Sequence, residues 1–115
     1  MLTALAAAGC TSSATYAVDA DAARAALKTT LDAWKGGEPP DSLQSASPAI
    51  IAQDMEWSSG AKLIDYDFLG DKPADANLDA RVKLTISARG KKIQREARYL
   101  VTTRPAVTVF RDMMN

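Results

Sequence analysis

The spacing of apolar positions changes near residue 60, from a helical period to strict alternation. Ala23, Ala26, Leu27, Thr30, Leu31 and Trp34 follow an i, i+3, i+4, i+7, i+8, i+11 progression. That spacing gathers them into one stripe on a helix of about four turns. Arg24, Lys28, Asp32 and Lys35 fall off the stripe. Asp19 or Asp21 suits the helix start, where a carboxylate accepts from unpaired backbone N–H groups and meets the positive end of the dipole. Gly36-Gly37 end the helix, and Pro39-Pro40 keep it from resuming. A short helical turn is predicted over Asp41–Ser45.

Ile50-Ile51 predict a brief extended piece, and Trp57 precedes a turn at Ser58-Ser59-Gly60. In Lys62–Phe68, Ile64, Tyr66 and Phe68 alternate with Leu63, Asp65 and Asp67. Gly70–Asn77 reads as a loop. Leu78, Ala80, Val82, Leu84 and Ile86 alternate with Asp79, Arg81, Lys83, Thr85 and Ser87, the cleanest period of two in the chain. A strand with one wet face is expected there. Gly90 marks a hairpin turn. Ile93–Thr103 forms the next strand, with Ala97, Tyr99 and Val101 on one side. Arg104-Pro105 break it, Ala106–Phe110 make a last strand, and the remaining residues read as a frayed tail.

One helix followed by a meander of long strands predicts an α+β domain over residues 19–112, its N-terminal helix packed on a curved antiparallel sheet of 3–5 strands. The Leu31–Gly37 exit, a short second helix and the strand ladder resemble the cone-shaped NTF2-like and cystatin-like superfolds. They are also similar to small uncharacterised lipoproteins of bacterial cell envelopes. The resemblance covers residues 20–112 and implies a pocket between helix and sheet. It carries no catalytic residue over, because enzymes of that shape use His or an Asp/His pair and this chain has no His.

The N-terminus adds a location. Leu2–Ala8 are apolar or small, and Ala7-Ala8-Gly9-Cys10 resembles a bacterial lipobox, which implies cleavage before Cys10 and acylation of its sulfur. Residues 1–9 then read as a truncated signal segment and 10–18 as a flexible tether. A lipid-anchored protein of the bacterial cell envelope is expected. Thr11-Ser12 carry no retention signal of the Asp type, so the outer membrane is the default in a two-membrane cell.

Composition restricts the chemistry. The single Cys excludes an internal disulfide and a zinc cluster. Lacking His, the chain has neither the commonest general base nor the commonest metal ligand. No P-loop, dinucleotide fingerprint or nucleophile elbow is present, so no cofactor and no metal are expected. Net charge is zero but unevenly placed: 5 Lys/Arg against 12 Asp/Glu over residues 1–79, and 9 against 2 over residues 80–115. No run of aromatics interleaves the basic residues as single-strand binding requires, so no nucleic-acid partner is expected.

Five clusters remain as candidates. Trp34, Trp57, Tyr66, Phe68, Tyr99 and Phe110 form either a ligand pocket or simply the core. Arg89, Lys91, Lys92 and Arg95 at a hairpin tip suit anionic headgroups, or else keep the strand edge soluble. Asp71, Asp75, Asn77 and Asp79 offer oxygen ligands for Ca²⁺, although EF-hand spacing is absent and a solvated turn is the plainer reading. Asp65 and Asp67 point the same way from one strand and are expected to face water. Asp54 and Glu56 flank Met55, either as a base beside a pocket or as a charged loop with Trp57 plugging the core. The expected function is a non-enzymatic binding or interaction module whose partner is the membrane together with an envelope protein or small ligand. A small-ligand carrier and an NTF2-like enzyme using an Asp or Glu are the alternatives. Sequence leaves monomer or homodimer open.

Overall fold

The computed structural model describes residues 17–113. The signal segment, Cys10 and most of the tether lie outside the described residues. Helix α1 spans Ala20–Lys35, and all six stripe residues are buried. Asp19 is the N-cap, its carboxylate accepting from the Ala22 N–H at 3.1 Å. Thr30 sits in the apolar stripe without an orphaned hydroxyl, because Oγ1 donates to the Ala26 carbonyl at 2.8 Å. The Gly36 N–H closes the last turn on the Asp32 carbonyl, and Gly37 turns the chain away at φ 85°. A 3₁₀ helix follows over Pro40–Ser45.

Next come β1 (Ile50–Gln53), a one-turn helix α2 (Met55–Ser58), β2 (Lys62–Ala74), β3 (Asn77–Ala88), β4 (Lys91–Thr102) and β5 (Val107–Asp112). The strands form one sheet in the order β1-β5-β4-β3-β2. The sheet is mixed, which corrects the all-antiparallel expectation: β1 runs parallel to β5, pairing Ile50 with Val107 through Gln53 with Phe110. A four-residue strand carries no local signal of its direction. That is set by which distant edge it joins.

The core lies between α1 and one face of the sheet. β3 contributes Leu78, Ala80, Val82, Leu84 and Ile86, β4 contributes Ala97, Tyr99 and Val101, and Val109, Ile50 and Leu63 complete it. Each fully buried Leu or Val there stabilises the fold by about 1.5–3 kcal/mol. The β3–β4 turn has positive φ at both Arg89 (53°) and Gly90 (78°), the twist that suits a two-residue hairpin and that glycine adopts freely.

β2 departs most from its sequence pattern. It continues through the expected Gly70–Asn77 loop as far as Ala74. A register shift between Leu63 and Asp65 makes Ile64 the extra residue of a bulge. Leu63 therefore enters the core, and Ile64 is exposed. Past the bulge, Tyr66 and Phe68 stand opposite Leu84 and Val82.

The chain joins the domain at one end of this sheet. The Val18 N–H donates to the Asp75 carbonyl at 3.0 Å in the β2–β3 turn, and the Asp19 N–H donates to Thr103 Oγ1 at 3.1 Å beyond β4. The β3–β4 hairpin tip lies at the other end, about 36 Å away at the rise of an extended strand.

Candidate functional site

Two features stand out on the core side of the sheet. The first is a groove. Trp34 from the last turn of α1 stacks on Trp57 from α2, with ring centroids 5.7 Å apart and planes 16° from parallel. Each indole also pins a loop: Trp34 Nε1 donates to the Ala61 carbonyl at 2.8 Å, and Trp57 Nε1 to the Glu38 carbonyl at 2.9 Å. The helix exit and the approach to β2 are thereby held apart at fixed positions. Between them lies an open groove of about 770 Å³, floored by the two tryptophans and walled by Gly36–Pro40, Lys62–Ile64 and Ser87. Its size falls within the range of small-molecule and short-peptide sites.

The second feature is a buried polar network. Asp54 caps α2, accepting from the Glu56 N–H at 2.9 Å and the Trp57 N–H at 3.3 Å. Its other oxygen accepts from the Tyr99 hydroxyl at 2.5 Å. Arg111 lies 3.3 Å from both oxygens, with its guanidinium over the Tyr99 ring, and reaches Glu56 at 2.8 Å. Arg95 completes the chain through Glu56 at 3.1 Å. The side chains of Arg111 and Asp54 are only 5% and 4% exposed. Burial, followed by the Asp54 charge, pushes the Tyr99 hydroxyl well above its ordinary value, so it stays a proton donor. No buried side-chain polar atom among the described residues lacks a partner. This network holds α2 against β4 and β5, and neither Asp54 nor Glu56 lines the groove.

The six predicted aromatics do not share one pocket. Trp34 and Trp57 meet in the groove. Tyr66 and Phe68 pack edge to face on β2 at 5.4 Å, and Phe68 is 50% exposed. Tyr66 is tied to α1 through Asp32. Burial first and that bond second push its hydroxyl up to about 12. Tyr99 belongs to the buried network. Phe110 stands opposite Leu100 on the outer face of the sheet, away from the helix.

Of the basic tip residues, Arg95 turns to Glu56 on the core side, while Arg89, Lys91 and Lys92 are exposed. Asp71 and Asp79 do not converge on a Ca²⁺ loop. They sit on paired strands and point to opposite faces, each already engaged by an arginine: Asp71 by Arg24 at 2.9 and 3.0 Å, Asp79 by Arg98 at 2.7 and 2.8 Å. Those bonds hold both carboxyls below the usual range. No metal-holding group of His, Cys, Asp and Glu occurs among the described residues. Asp65 is exposed and 3.5 Å from Lys35, and Asp67 is exposed.

Sequence reasoning missed Arg111, which read as part of a frayed tail. The signal was the alternation Val107, Val109, Arg111, which places the arginine on the core face.

Comparison with protein-family models, curated proteins and solved structures finds no match to this chain. No helix among the described residues is long and apolar enough to cross a membrane.

Proposed function

We propose that this chain is a lipid-anchored binding module of the bacterial cell envelope, held through Cys10 and working through its far end. The observation that carries this reading is the separation of the two ends of the sheet. The chain arrives at Asp75 and Thr103, whereas the groove and the exposed Arg89, Lys91 and Lys92 sit where β3 ends and β4 begins. A tether on that side presents the groove and the basic tip away from the membrane. In this reading the tip meets a partner in the envelope and not the headgroups beside the anchor. One long helix on a bulged, twisted meander suits the cone-shaped NTF2-like or cystatin-like type. The network around Asp54 serves as scaffold, which favours binding over catalysis.

The test is intact mass and membrane fractionation of protein made in a bacterial host from its native gene, beside Cys10→Ser. The expected product is cleaved before Cys10, heavier by its acyl groups and membrane-bound, and the variant loses all three properties. A soluble, uncleaved product with a free thiol overturns the anchor.

The groove volume favours a second reading, a carrier of a small apolar ligand. Its floor holds both tryptophans of the chain. An apolar anionic dye bound there takes up their fluorescence by energy transfer. Failure to do so, with the fold intact by circular dichroism, removes the carrier reading.

A further inference from the structure

Among the described residues the sheet has three stretches of edge backbone of four residues or more, and two are blunted. β1 is four residues long. β2 carries two register shifts and Pro73, which twist an edge away from neighbours and remove a donor. The third stretch lies on β4. It pairs with β3 from Lys91 to Val101 without a shift, but with β5 only over Arg98–Thr102. On the β5 side, Lys91–Ala97 has no strand beside it among the described residues. The step where β5 ends is an open notch of about 450 Å³, lined by Arg95, Glu96, Ala97 and Met113 among others.

We propose that a second copy of this chain occupies this edge, pairing β4 with β4 antiparallel about a twofold axis at Gln94. The free stretch is symmetric about that residue, so Lys91 of one copy ends opposite Ala97 of the other. Charge selects the register. With Gln94 on the axis, Lys92 stands opposite Glu96 of the second copy, and symmetry repeats the pair. Both residues lie on the outer face, where opposite charges in register stabilise a strand pair and like charges oppose it. A centre at Ile93 sets Lys91 against Arg95, and a centre at Arg95 sets Lys92 against Arg98. Each neighbouring register thus faces like charges, and only the Gln94 centre faces unlike ones. On the core side, Ile93, 37% exposed in one copy, lies opposite Arg95, whose aliphatic stem covers it while the head keeps its bond to Glu56. The two Lys92 ammonium groups are separated by four residues of strand, about 13 Å, and are screened at physiological salt. The result is a closed twofold dimer with one continuous sheet.

The test is sedimentation equilibrium of the full chain carrying Cys10→Ser, which removes acylation and intermolecular disulfides as other sources of association. The expected result is a dimer in which hydrogen exchange slows with protein concentration within Lys91–Ala97. Lys92→Glu and Glu96→Lys each weaken it by about tenfold, and the two together restore it. A chain that stays monomeric up to about 1 mM overturns the proposal. A dimer whose concentration-dependent protection lies outside Lys91–Ala97 overturns it too, with no substitution needed. So does a dimer that neither single charge reversal weakens or that the double exchange fails to restore.

Discussion

Two arginine–carboxylate clusters occupy opposite faces of the same sheet, and burial separates them where contact distance does not. On the outer face, Arg98 grips Asp79 through two bonds of 2.7 and 2.8 Å and touches Asp112 at 3.2 Å. On the core face, Arg111 stands 3.3 Å from each oxygen of Asp54 and 2.8 Å from Glu56. Yet the Arg98 side chain is 39% exposed, so water replaces what a substitution removes. The Asp54 and Arg111 side chains are only 4% and 5% exposed, and a removed partner leaves a largely desolvated group behind. The cost of losing a partner follows burial more than bond length.

The largest expected effect breaks this contrast from the buried side. Asp54→Ala removes the α2 cap, the Tyr99 acceptor and one carboxylate of Arg111 together, and is expected to cost about 3–5 kcal/mol in urea unfolding. Tyr99→Phe is milder. It leaves one buried carboxylate oxygen short of a donor while Arg111 remains, and a loss of about 1–3 kcal/mol by the same measurement is expected. Asp79→Asn tests the outer cluster and is expected to cost about 1 kcal/mol or less. If Asp79→Asn matched Asp54→Ala, burial would not be the deciding variable.

The smallest effect per group is in the pH profile. Asp32 is lowered by its bonds to Lys28 and Tyr66, Asp71 by Arg24 and Asp79 by Arg98. Groups lowered on folding contribute stability above their unfolded value near 3.8, and it is lost as pH falls through their folded values. Tyr66 and Tyr99 are raised, so their contribution is complete below pH 10 and declines as pH climbs toward about 12 for Tyr66. Chemical denaturation at a series of pH values is expected to give a plateau between these limits. Asp79→Asn should flatten part of the acid limb without touching the alkaline one.

The helix and the central strands were legible for a simple reason. Each lies against one apolar surface, so burial follows a local period. The stripe Ala23 to Trp34 and the alternation Leu78 to Ile86 are buried as the spacing predicts. Edge strands escape that logic. On β2 the bulge at Ile64 reverses which residue enters the core, and nothing in Leu63-Ile64-Asp65 announces an extra residue.

The candidate groove was half legible. Trp34 and Trp57 were singled out, but Gly36–Pro40 and Ser87 were not, because a groove is made by segments brought together from distant parts of the chain. Arg111 was hidden because a charged residue near a chain end reads as solvated until its strand is seen to pair with β4.

By itself, the sequence determined the α+β class, the boundaries of α1, the inward face of β3 and the absence of histidine chemistry, because period, caps and composition are local properties. Tertiary structure alone decided the parallel seat of β1, the burial of Arg111 against Asp54 and the edge of β4 at Lys91–Ala97 that no strand among the described residues covers. Each of these depends on which strand ends beside which, and that is a long-range choice no local pattern encodes.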